Sequence, residues 1–73
     1  MDKLDILKDI GEKVRKKRSD LGISQTELAH RIDKDQQSIH RLESGNINPS
    51  YIYLLEVAEG LGVSLSELLT IVI

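Results

Sequence analysis

The chain has 73 residues, and 24 of them are Leu, Ile or Val. A disordered chain holds under about a fifth of such residues, so one small domain with a thin core is expected over residues 1–73. The absence of Cys excludes a disulfide, a thiolate zinc site and a cysteine nucleophile, and two His cannot close a metal site alone. No metal or other cofactor is expected. No apolar run approaches the roughly 18 residues of a membrane span, and Met1-Asp2-Lys3-Leu4-Asp5 is too acidic for a signal peptide. The expectation is a cytoplasmic protein with no membrane contact. So short a chain leaves little room for a concave catalytic pocket, which argues against an enzyme.

The net charge is −2, but it is unevenly spread. All ten Lys and Arg fall between Lys3 and Arg41, against eight acids in residues 1–41; beyond Arg41 stand four Glu and no base. Lys13, Arg15, Lys16, Lys17 and Arg18 crowd five positive charges into six residues. One end of an acidic protein is therefore locally basic.

Helical spacing runs through the chain. Leu7, Ile10, Val14, Arg18 and Leu21 recur at three and four residues, which makes one helix face, and Gly22 ends that helix. Gly11 interrupts the stripe, so residues 1–9 read as an extension. Ser24-Gln25-Thr26-Glu27 is a capping box, with Ser24 as N-cap and Glu27 reaching back. It opens a short helix with Leu28, Ala29 and Ile32 inward. Asp33 and Lys34 break the pattern, and Asp35 caps a third helix that turns Ile39 and Leu42 inward and stops at Gly45. Asn48-Pro49 reads as an N-cap followed by Pro at the first helical position. The fourth helix is expected to bury Leu54, Leu55, Val57, Ala58 and Leu61. Ser64-Leu65-Ser66-Glu67 is a second capping box, opening a last helix with Leu65, Leu68 and Leu69. Residues 70–73 form an apolar tail. These elements predict an all-α fold, a compact five-helix bundle with a core over about residues 10–69.

Helices over about 25–32 and 36–44, joined by three or four residues, have the dimensions of a helix-turn-helix. With Ile39 and Leu42 inward, Gln37, His40, Arg41 and Ser44 face outward and Gln36 lies on the flank. Gln pairs bidentately with adenine and Arg with guanine in the major groove. Glu27-Leu28-Ala29-His30 has the Glu-x-x-His spacing of di-iron bundles, but a single copy cannot build such a site.

Ser24-Gln25-Thr26-Glu27-Leu28-Ala29, Gln36-Gln37-Ser38-Ile39, Leu42-Glu43-Ser44-Gly45, Asn48-Pro49-Ser50 and Leu61-Gly62-Val63-Ser64 together resemble the Cro/C1 (XRE) helix-turn-helix family. Gln36-Gln37-Ser38-Ile39 is especially similar to the recognition helix of lambdoid phage repressors. The resemblance implies a five-helix fold and a homodimeric transcriptional regulator, with double-stranded DNA as partner and a palindromic operator as target. It implies base reading by Gln36, Gln37 and Arg41. It also implies a phosphate contact at Gln25, where a helix N-terminus favours an anion, and backbone contacts at Ser44 and Asn46. Arg15, Lys34 and Lys17 join these as backbone contacts on charge and expected position. The family pairs an Arg and a Glu at the positions of Arg18 and Glu43, which implies a structural clamp between the first and third helices; a partly buried guanidinium needs such a partner.

Three positions depart from the pattern. Asp33 stands where the family usually has a turn Gly with positive φ, Asp35 replaces Ser or Thr, and Asn46 replaces a base after Gly45. Each change weakens the nonspecific attraction to phosphate. Ile52 and Tyr53 replace polar residues, and with Leu65, Leu69 and Ile71 they make the candidate dimer interface. An antitoxin, or another interaction module that keeps this fold, is the alternative reading, with a toxin or polymerase as its protein partner.

Overall fold

A computed structural model describes residues 2–70. Among them are five helices: α1 (Lys3–Asp20), α2 (Gln25–Arg31), α3 (Gln36–Glu43), α4 (Tyr51–Gly60) and α5 (Leu65–Leu69). The all-α, five-helix expectation holds, and its agreement rests on local chemistry. Ser24, Asp35 and Ser64 each turn a side-chain oxygen to the backbone N–H three residues on, at 3.0, 2.8 and 3.0 Å. Such a bond satisfies one of the four donors that a helix start leaves unpaired. The return half of the first capping box is replaced: the Glu27 carboxylate turns to Arg31, 3.9 Å away.

α1 departs from expectation. It runs unbroken through Gly11 and starts at Lys3, because the Asp2 carboxylate accepts from the Asp5 N–H at 2.9 Å. Gly11 is buried rather than disruptive. A Cβ there would sit 2.4 and 2.5 Å from the Leu42 and Glu43 carbonyl oxygens, so its missing side chain is what lets α1 lie against the end of α3. The cap of α4 also differs. Ser50, not Asn48, takes the role and accepts from Tyr53 N–H at 3.0 Å. A hydroxyl two residues later competes successfully, and the longer loop brings Ile47 against the core.

The core joins all five helices through Val14, Leu28, Ile39, Leu42, Val57 and Leu68. α3 packs on α1 and α2, α2 on α4, and α5 on α1 and α4. Two residues expected inside are partly outside. Leu21 is 45% exposed because it caps the end of α1, and Leu55 is 40% exposed. Leu55 follows Leu54 by about 100° of turn, which carries it past the buried arc.

Candidate nucleic-acid interface

The turn between α2 and α3 is closed by backbone bonds. Lys34 N–H donates to Ala29 O at 2.9 Å and Asp33 N–H to His30 O at 3.3 Å, the doubly bonded ending that requires a left-handed residue. Asp33 supplies it with φ 57°, the one positive φ of a non-glycine among the described residues. This pins α3 at a set angle to α2. Its buried side is Ile39 and Leu42, and Gln36, Gln37, His40, Arg41 and Ser44 are all exposed.

Arg18 and Glu43 meet in a bidentate pair, Nε to Oε2 at 2.7 Å and Nη2 to Oε1 at 2.9 Å. The third guanidinium nitrogen, Nη1, donates to Ile23 O at 2.8 Å. The side chains are only 15% and 4% exposed. Hydrogen bonding to Glu43 raises the Arg18 pKa against the opposing effect of burial. The pair also reaches α2. Gln25 Nε2 donates to Glu43 Oε1 at 3.0 Å, and Gln36 Nε2 donates to Gln25 Oε1 at 2.6 Å. One polar chain thus runs from α1 through the end of α3 and the start of α2 to the first residue of α3. Gln25 stands inside this chain, at the helix start expected to face a phosphate.

A second strut holds the other half of α3. Tyr53 from α4 places its hydroxyl 2.6 Å from Ser38 Oγ, and burial raises its pKa. Lys34 lies 5.8 Å over the Tyr53 ring and 4.0 Å from Glu56. Tyr53, a candidate dimer-interface residue by its departure from the family's polar residue, instead gives its hydroxyl a partner on α3.

The basic candidates separate. Arg15 is exposed beside Glu12, whose carboxylate accepts from its Nε at 3.1 Å; the hydrogen bond raises the Arg15 pKa and lowers that of Glu12. Lys17 is not brought to α3. It lines a small hollow with Lys13, Glu67 and Thr70, between α1 and α5, because it lies about 100° from Arg18, the residue that faces α3. Lys8 was missed. A Cβ on Gly45 would fall 2.9 Å from Lys8 Cγ, so Lys8 stands beside the end of α3, next to Ser44 and Asn46. Extending the α1 stripe through Gly11 would have found it.

The dimer candidates also divide. Ile52 is 68% exposed, and it shares one patch of α4 with Tyr51 and Leu55, which patterning did not single out as interface residues. Tyr53 turns to α3, and Leu65 and Leu69 pack partly buried on the core. Ile71 lies outside the described residues. No helix of the described residues is long and apolar enough to cross a membrane.

Comparison with known proteins agrees with this geometry. The family model described as Helix-turn-helix (HTH_3) matches residues 14–68. An uncharacterized HTH-type transcriptional regulator, y4dJ of Sinorhizobium fredii, is 39% identical over 67 residues, covering 92% of this chain and 87% of that protein. The control protein C.MunI from a Mycoplasma species is 40% identical over 57 residues, covering 78% of this chain and 74% of its own length. The crystal structure of the restriction-modification controller protein C.AhdI from Aeromonas hydrophila superposes with a TM-score of 0.88 at 29% identity, covering 93% of this chain and 99% of that one.

Proposed function

Because the chain belongs to the Cro/C1-type helix-turn-helix family of transcriptional regulators, we propose that it binds double-stranded DNA sequence-specifically, as a homodimer on a palindromic operator. Each subunit inserts α3 into the major groove. Gln36, Gln37 and Arg41 read base edges; Gln25, Ser44, Asn46, Arg15 and Lys34 meet the sugar-phosphate backbone, and Lys8 joins them from its place beside Gly45. The observation that carries this reading is the outward face of α3. It presents two Gln and one Arg, side chains suited to bidentate base contacts, on a helix whose two halves are braced by Glu43 and Ser38.

Likeness to the control protein C.MunI and to the restriction-modification controller protein C.AhdI supports a controller-like role. The exposed α4 patch of Tyr51, Ile52 and Leu55 supports a two-fold interface there, as contiguous apolar surface on a small domain favours a partner. Selection of purified protein against a random duplex pool at two salt concentrations tests the proposal. A palindrome with half-sites about 10 base pairs apart is expected. Retention that selects no sequence and disappears by about 200 mM salt contradicts it.

A further inference from the structure

Three helix ends converge on a face that α3 does not share. Leu21, Ile32 and Leu61 are the C-cap residues of α1, α2 and α4, and all three line one open hollow of about 630 Å³. Their side chains give it an apolar floor, with Leu21 45% exposed. Gly60 keeps the floor open and the helices close: a Cβ there would lie 2.6 Å from Ile32 Cγ2.

The surroundings are negative. Asp33, Glu56 and Glu59 stand around the hollow, Glu56 shared with Lys34 at 4.0 Å, and each helix C-terminus adds roughly half a negative charge. α4 has no base in its last turn to offset this. Arg31 is the one cation in the lining, and it is engaged: it donates to Gly60 O at 3.1 Å and lies 3.9 Å from Glu27.

We propose that this hollow docks a basic segment of a partner protein, seating an aliphatic side chain on Leu21, Ile32 and Leu61 while flanking Arg or Lys residues face Asp33, Glu56 and Glu59. Charge complementarity selects this occupant. Phosphate is repelled by the same carboxylates that attract a cation. The α4–α5 half of a second copy offers no base, since none occurs beyond Arg41. A hollow of this size also suits a few side chains rather than a whole helix face. It uses no residue of α3 and none of Tyr51, Ile52 or Leu55, so the partner segment and DNA are held at the same time.

The test is an amide NMR titration of the 73-residue chain. The probe is a short peptide with two leucines one helical turn apart, flanked by arginines; its control carries glutamates in their place. The arginine peptide is expected to move the amides of Leu21, Asp33, Glu59 and Gly62 and to leave those of Gln37 and Ile52 in place. Glu56→Gln and Glu59→Gln together should weaken it about three- to tenfold, and Glu59→Gln alone, which leaves Lys34 beside Glu56, should weaken it while unfolding and DNA binding stay as they are. Leu21→Ser should weaken both peptides. Equal binding of the two peptides, shifts centred on Tyr51, Ile52 and Leu55, no effect of the Gln variants, or no shift at millimolar peptide would each overturn the proposal. A failure of DNA selection leaves this result untouched, so the two readings fail separately.

Discussion

Asp33 holds a left-handed backbone, φ 57°, that costs any residue with a Cβ. Asp tolerates it better than most, yet glycine would remove the strain. Asp33→Gly is therefore expected to raise stability by about 0.5–1 kcal/mol, seen as a higher urea midpoint at unchanged slope. It also removes a carboxylate from the turn that leads into α3, so DNA affinity should rise with it. Gly11 gives the opposite sign. An alanine gains helix propensity of up to about 1 kcal/mol, but its methyl group meets the Leu42 and Glu43 carbonyls at 2.4 and 2.5 Å. These are backbone atoms and cannot swing aside. Gly11→Ala should lower stability by about 1–3 kcal/mol and weaken DNA binding, because the atoms displaced are the end of α3. Equal stability with unchanged affinity would show that α1 and α3 can slide.

At the scale of elements, the polar chain through Arg18, Glu43, Gln25 and Gln36 separates stability from recognition. Glu43→Ala strands a guanidinium only 15% exposed and should cost about 3 kcal/mol of folding stability. Gln25→Ala leaves that pair intact and releases Gln36. It should barely move the unfolding midpoint, yet weaken DNA binding by about 1 kcal/mol. Tyr53→Phe removes the 2.6 Å contact to Ser38 and should cost about 0.5–1.5 kcal/mol in stability. What could be read from the sequence follows the range of each interaction. Ser24, Asp35 and Ser64 act over three residues, so their helices start where expected. The outward face of α3 follows from Ile39 and Leu42 alone. Gly11, Ser38 and Tyr53 act across helices, and their roles depend on distances no spacing rule contains. Asn48 and Ser50 both carry side chains that can cap a helix, and the structure uses Ser50, with Ile47 packed against the core.

At the scale of the whole molecule, the charge division in the sequence becomes a division of surfaces. The bases lie in α1 to α3, and α4 and α5 carry only acids. On the proposed reading, a protein of net charge −2 offers α3 to DNA and keeps the acidic α4 away from it. The α4 patch of Tyr51, Ile52 and Leu55 then suits a second subunit. Ile52→Glu at this 68% exposed position should leave the fold unchanged, shift the chain to monomer in sedimentation, and weaken operator binding by tenfold or more, about 1.4 kcal/mol.

The most direct test of base reading by α3 is the base-preference profile of Arg41→Ala and Gln37→Ala beside the parent chain, on the selected operator and its single-base variants. Each substitution should cost about 1–3 kcal/mol and relax preference at one position of each half-site. Equal weakening on every duplex, with the preference profile intact, would contradict the account and leave α3 a positioning element rather than the reader.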